Sequence, residues 1–141
     1  MPRYKSIGEG KTADHKVFQI SGIQDDLHHM DENIVLMSRL RTQELDSIST
    51  NNGIKDQLET VIQETKLLSA NLKKRITFLQ TTPITAHAAG IRRPQIERVH
   101  RLFLKELQRY QAEEKLSRDK QRERIARQYK IGKLLLYMRP F

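Results

Sequence analysis

The stretch from Arg92 to Ile131, RRPQIERVHRLFLKELQRYQAEEKLSRDKQRERIARQYKI, constrains this chain most. It contains one Pro near its start, no Gly, and charge on most turns. As a single helix, at 1.5 Å per residue, it would run about 60 Å. Ile96, Val99, Phe103, Leu107 and Tyr110 recur every three or four residues in its first half. The second half is nearly all charge until Ile125, Tyr129 and Ile131. A helix that is amphipathic and then charged needs other helices to pack on, and the rest of the chain must supply them.

Two earlier segments have the right pattern. Ile20, Ile23, Leu27, Met30, Ile34 and Met37 are spaced three, four, three, four and three apart. This heptad stripe predicts a first helix over residues 15–48. Leu40, Leu45 and Ile48 shift the stripe near its end, and Ser49 to Gly53 is a stop signal. Ile54, Leu58, Val61, Thr65, Leu68, Leu72 and Leu79 predict a second helix over 54–80, with Arg75 in the remaining slot. Ile62 and Ile76 widen that stripe, which suits a helix with two neighbours. Pro83 ends the second helix, because the residue before Pro is pushed out of helical geometry. Residues 81–91 read as the connection. Pro94 then suits the first turn of a third helix over 92–131, where its missing N–H costs nothing. Residues 1–14 read as a flexible tail. Residues 132–141 read as a divergent tail, an apolar burst after Gly132 with no polar face. No strand-like alternation appears anywhere. The expected architecture is all-α: an up-down-up antiparallel three-helix bundle with an elongated third helix and crossing angles near +20°. Its core would be Ile23, Leu27, Met30, Ile34, Leu58, Val61, Leu68, Leu72, Val99, Phe103, Leu107 and Tyr110.

Composition agrees with elongated helices that bury only a stripe. Of 141 residues, 37% are apolar and 30% charged, low and high against globular averages, and there is no Trp. The length suffices for one domain with a modest core. The chain has no Cys, which excludes disulfide scaffolds, thiol nucleophiles and cysteine-ligated metals. No apolar run approaches the 18 or so residues of a membrane span. The first residues carry no apolar region of a secretory signal.

The net charge of +9 is unevenly placed. Residues 1–90 hold 11 basic and 11 acidic side chains, whereas residues 91–133 hold 14 basic and 6 acidic. A neutral body joined to one basic element suggests an acidic partner, nucleic acid or an anionic membrane face. A solvated helix face laced with ion pairs is the simpler reading.

Nothing in the sequence forms a catalytic constellation. No phosphate-loop, H-E-x-x-H or G-x-S-x-G motif is present, and Gly8, Gly10 and Lys11 do not follow a strand. His28 is placed to meet Asp25 or Glu32, and His29 to meet Asp25 or Asp26. A metal site there would lack ligands from a second element, and solvated side chains are the better reading. No catalytic, metal or cofactor-binding residue is assigned, and the chain is expected not to be an enzyme. The basic third helix could enter a DNA groove. Against that, Glu106, Glu113, Glu114, Asp119 and Glu123 would repel phosphate, and Phe103 and Leu107 commit the first half to packing.

The third helix reads F-x6-Y and then R-x-R-I-x-R-Q, with Phe103, Tyr110, Arg122, Arg124, Ile125, Arg127, Gln128, Tyr129 and Ile131. Together with Phe18, Ile20, Ile23, Leu27, Met30 and Ile34, and with Ser69-Ala70-Asn71, it resembles the N-terminal Habc domain of the syntaxins over residues 15–131. The exocytic, plasma-membrane branch is the most similar. The resemblance implies a regulatory domain of a target-membrane SNARE, acting in vesicle docking and fusion by binding SNARE helices and SM-family regulators. No cofactor or small-molecule substrate is implied. The family continues with a linker, a SNARE helix and a membrane anchor. This sequence departs from it at Gly132, as a truncated or mis-spliced reading frame would. Such a chain alone would be cytosolic, whereas a full-length relative would sit on the cytoplasmic face of a membrane. Arg109, Arg118, Arg124 and Arg127 are the candidate partner-binding residues. Two other readings remain: a basic helical nucleic-acid binder, and a peripheral binder of anionic membranes.

Overall fold

A computed structural model of the chain describes residues 2–46 and 52–138. Side chains of residues 2–18 and of Asn52 lie outside the described residues, and with them the expectations placed on Lys11 and Phe18. The stop signal at Ser49–Asn51, the stripe shift at Ile48, and Arg139, Pro140 and Phe141 also lie outside them.

Three helices, α1 (Pro2–Asp46), α2 (Asn52–Thr81) and α3 (Ala86–Tyr137), pack against one another as a helical bundle. No strand occurs among the described residues. α3 is the longest at 52 residues, about 78 Å at the helical rise.

The core forms where the three stripes meet. Ile20, Ile23, Leu27, Met30, Ile34, Met37 and Leu40 are buried from α1. α2 contributes Leu58, Val61, Leu72, Ile76 and Leu79, and α3 contributes Ile96, Val99, Phe103 and Tyr110. Leu68 and Leu107 are only partly buried against this cluster. Leu40 continues the buried stripe of α1, whereas Leu45 is exposed. Thr65 occupies a fully buried heptad slot on α2. Its hydroxyl donates to the Val61 carbonyl at 2.6 Å, so a polar atom enters the core already satisfied.

The helix boundaries differ from the pattern-based ones. α1 extends back to Pro2, through residues 2–14. α3 begins at Ala86, so the connection shrinks to residues 82–85. Thr85 is its N-cap, and its carbonyl accepts from Ala88 N and Ala89 N at 3.0 Å each. Ala86, Ala88 and Ala89 are strong helix formers and outweigh Gly90. Pro94 therefore lies inside the helix and not in its first turn. The bond it cannot donate would have gone to Gly90, and both residues are exposed, so water can take that carbonyl. At the far end α3 runs through Gly132 to Tyr137. Its last turn closes with Met138 N donating to Leu134 O at 3.0 Å.

Ion pairs between helices place one helix against another. On the α1–α2 side, Asp26 meets Arg75 and His29 meets Glu64. On the α1–α3 side, Asp31 meets Arg109 and Arg41 meets Glu113. Lys66 of α2 lies 3.9 Å from Glu114 of α3.

Candidate partner-binding surface of α1 and α3

Between α1 and α3 lies an open cleft of about 650 Å3. Its apolar part comes from Ile34, Val35, Ala112 and Leu116, and its polar rim from Ser38, Arg39, Thr42, Gln43, Arg109 and Glu113. Ile34 belongs to the buried heptad stripe, but Val35 and Leu116 fall off it. They stay 46% and 42% exposed, so each presents apolar surface that no other helix covers.

The cleft walls are pinned by charge. Arg41 and Glu113 pair across α1 and α3 with both side chains almost out of water. Arg109 pairs with Asp31 across the same interface and with Glu106 Oε2 on its own helix at 3.0 Å. Burial pushes the Glu106 carboxyl above its usual range, against the opposing pull of the Arg109 guanidinium. The hydrogen bond to Asp31 raises Arg109 further, so it keeps its charge. Tyr110 closes the layer below. Its hydroxyl donates to Glu114 Oε1 at 2.7 Å, and burial, followed by that bond, holds the phenol well above its ordinary value.

The four arginines singled out from the sequence do not converge. Arg109 lines the cleft and is engaged by two carboxylates. Arg118 and Arg127 are exposed and Arg124 is half-buried, all on the part of α3 past its last buried residue, Tyr110. Arg109 and Arg127 are 18 residues apart, about 27 Å along the axis. Sequence reasoning missed Val35 and Leu116 as surface features. The available sign was an apolar residue off the heptad register, which Val35 and Leu116 both are.

The histidines take partners along and across helices. His28 Nε2 lies 3.2 Å from Glu32 Oε1. His29 reaches Glu64 Oε1 on α2 at 2.9 Å, and not Asp25 or Asp26 on its own helix. Among the described residues, no group of three or more His, Asp or Glu side chains is placed to hold a metal ion. No helix among them is long and apolar enough to cross a membrane.

No protein-family model matches the chain, and no curated protein matches its sequence. The class it falls in is therefore the one its own geometry defines: a helical bundle with an open interhelical cleft.

Proposed function

We propose that this chain is a syntaxin-like regulatory bundle, with an up-down-up course and an elongated third helix, that binds a partner helix. The observation that carries the reading is the α1–α3 cleft. It offers an apolar floor of Ile34, Val35, Ala112 and Leu116, about one turn on each helix, bordered by cations and one carboxylate, the chemistry that helix-in-groove recognition uses. The course is supported by the ion pairs: partners on α1 and α2 run in opposite order, and partners on α1 and α3 run in the same order. Occupying the cleft would withhold the partner helix from other complexes, which is regulation by population shift and needs no chemistry. SNARE helices and SM-family regulators are the partners that the sequence resemblance implies. Such a domain acts in vesicle docking and fusion, at the cytoplasmic face of a membrane, without cofactor or catalysis.

The test is a titration of the full chain against a fluorescent syntaxin-type SNARE helix, and separately against an SM-family protein. Saturable binding that is lost in Val35→Glu and Leu116→Glu is the expected outcome. Both positions are half-exposed, so circular dichroism should show the bundle intact. Absence of binding to either partner would sink the reading.

A further inference from the structure

The end of α3 has no part in the cleft. From Ile125 to Met138 every residue is exposed. Ile125, Tyr129, Ile131, Leu134, Leu135, Leu136, Tyr137 and Met138 each keep more than half of their surface open to water. Isolated exposed apolar residues are ordinary, but eight within 14 consecutive residues are not. The same arm is strongly basic. Residues 118–133 hold seven Lys and Arg against two acidic side chains. Among the described residues no ion pair involves any of these cations.

The two chemistries are ordered along the helix. Arg124, Arg127, Lys130 and Lys133 recur every third residue. In the last two turns the apolar side chains Ile131, Leu134, Leu135 and Met138 share one side, and Leu136 extends it toward Tyr129. Lys130 and Lys133 stand on the remaining side, with Tyr137 between them, and their long stems carry the ammonium groups out to polar surroundings.

We propose that residues 118–138 form a docking arm for an anionic phospholipid surface, with the cations on the headgroups and the apolar tip at the acyl boundary. Charge complementarity selects this occupant. A second copy would bring one basic arm against another. A nucleic acid would satisfy the cations and leave Leu134, Leu135, Leu136 and Met138 in water. A bilayer interface satisfies both, as it does for basic amphipathic segments generally. The arm is too short in apolar residues to cross the bilayer, so it lies on the surface. This inference is independent of what occupies the cleft.

The experiment is vesicle sedimentation of the full chain. It compares phosphatidylcholine vesicles with vesicles containing phosphatidylserine, beside a duplex DNA titration in the same buffer. Binding to the anionic vesicles only, weakened by salt, is expected. Replacing Arg122, Arg124 and Arg127 by Gln should weaken it on the order of a hundredfold. Replacing Leu134, Leu135 and Leu136 by Ser should weaken vesicle binding tenfold or more and leave any DNA binding unchanged. None of these side chains is in the core, so thermal melting should not move. Equal binding to neutral vesicles, DNA binding without vesicle binding, or self-association that persists without lipid would each overturn the proposal.

Discussion

Arg41 of α1 and Glu113 of α3 form an ion pair whose side chains are 11% and 14% exposed. Water therefore screens it little, and removing one member strands the other. Glu113→Ala should lower unfolding stability by about 1 to 3 kcal/mol in a urea titration. Replacing both, Arg41→Met with Glu113→Leu, should recover most of that loss. An additive double mutant would show that the pair is not coupled.

Gly22 faces the other interhelical seam. A Cβ there would stand 2.8 Å from Arg75 Nη2, the far end of a flexible side chain. Gly22→Ala should gain about 1 kcal/mol of helix propensity. It displaces Arg75 from Asp26, a pair about a third exposed and worth at most about 1 kcal/mol. The melting temperature should hold or rise slightly. The Asp26–Arg75 coupling, measured by a double-mutant cycle, should fall toward zero.

Asn33 is buried at 6% exposure, and its Nδ2 finds no hydrogen-bond partner among the described residues. An unpaired buried donor costs about 1 to 3 kcal/mol. Asn33→Leu should therefore be neutral or stabilising in thermal unfolding, unlike most substitutions at buried positions. A clear loss of stability would mean that the amide has a partner after all.

Tyr110 should make the bundle sensitive to alkali. Burial, and then its bond to Glu114, keep the phenol protonated in the native state well above its ordinary value of 10.0. The unfolded chain gives up that proton near pH 10, whereas the native chain keeps it. Above that pH the native state binds more protons, so stability falls as pH rises. Below it, both states are protonated and the group adds no slope. Tyr110→Phe should flatten the difference in urea midpoint between about pH 9 and about pH 11. An unchanged slope would clear Tyr110 of the effect.

Leu72 and Leu68 sit on the same heptad stripe, yet only Leu72 is fully buried. Leu72→Ala should cost about 2 to 5 kcal/mol, because it leaves a cavity. Leu68→Ala should cost clearly less, since water can fill the space it vacates. Equal losses in parallel denaturation curves would contradict the burial of α2.

The periodic stripes were legible because a helix that buries one face must repeat its apolar residues every three or four positions, whatever covers that face. Ile20 to Met37 and Ile96 to Tyr110 needed no knowledge of their neighbours. The helix ends were less legible. Pro94 carries a preference for first turns, but the alanines at 86, 88 and 89 start α3 earlier and leave it inside. The candidate surface was harder still. Arg109 and Arg127 look alike in sequence, but one is held by Asp31 and Glu106 and the other stands in water.

Local pattern alone determined that this chain is helical, which faces must be covered, and that its positive charge gathers on the third helix. Which side chains lose water was decided only when the helices met, because burial and ion pairing depend on residues far apart in sequence. Val35 and Leu116 lie 81 residues apart and become one cleft only through the packing of α1 on α3. Past Leu116 no residue of α3 among the described ones is buried, and the periodic chemistry that builds a core earlier in the helix remains there an exposed basic and apolar arm.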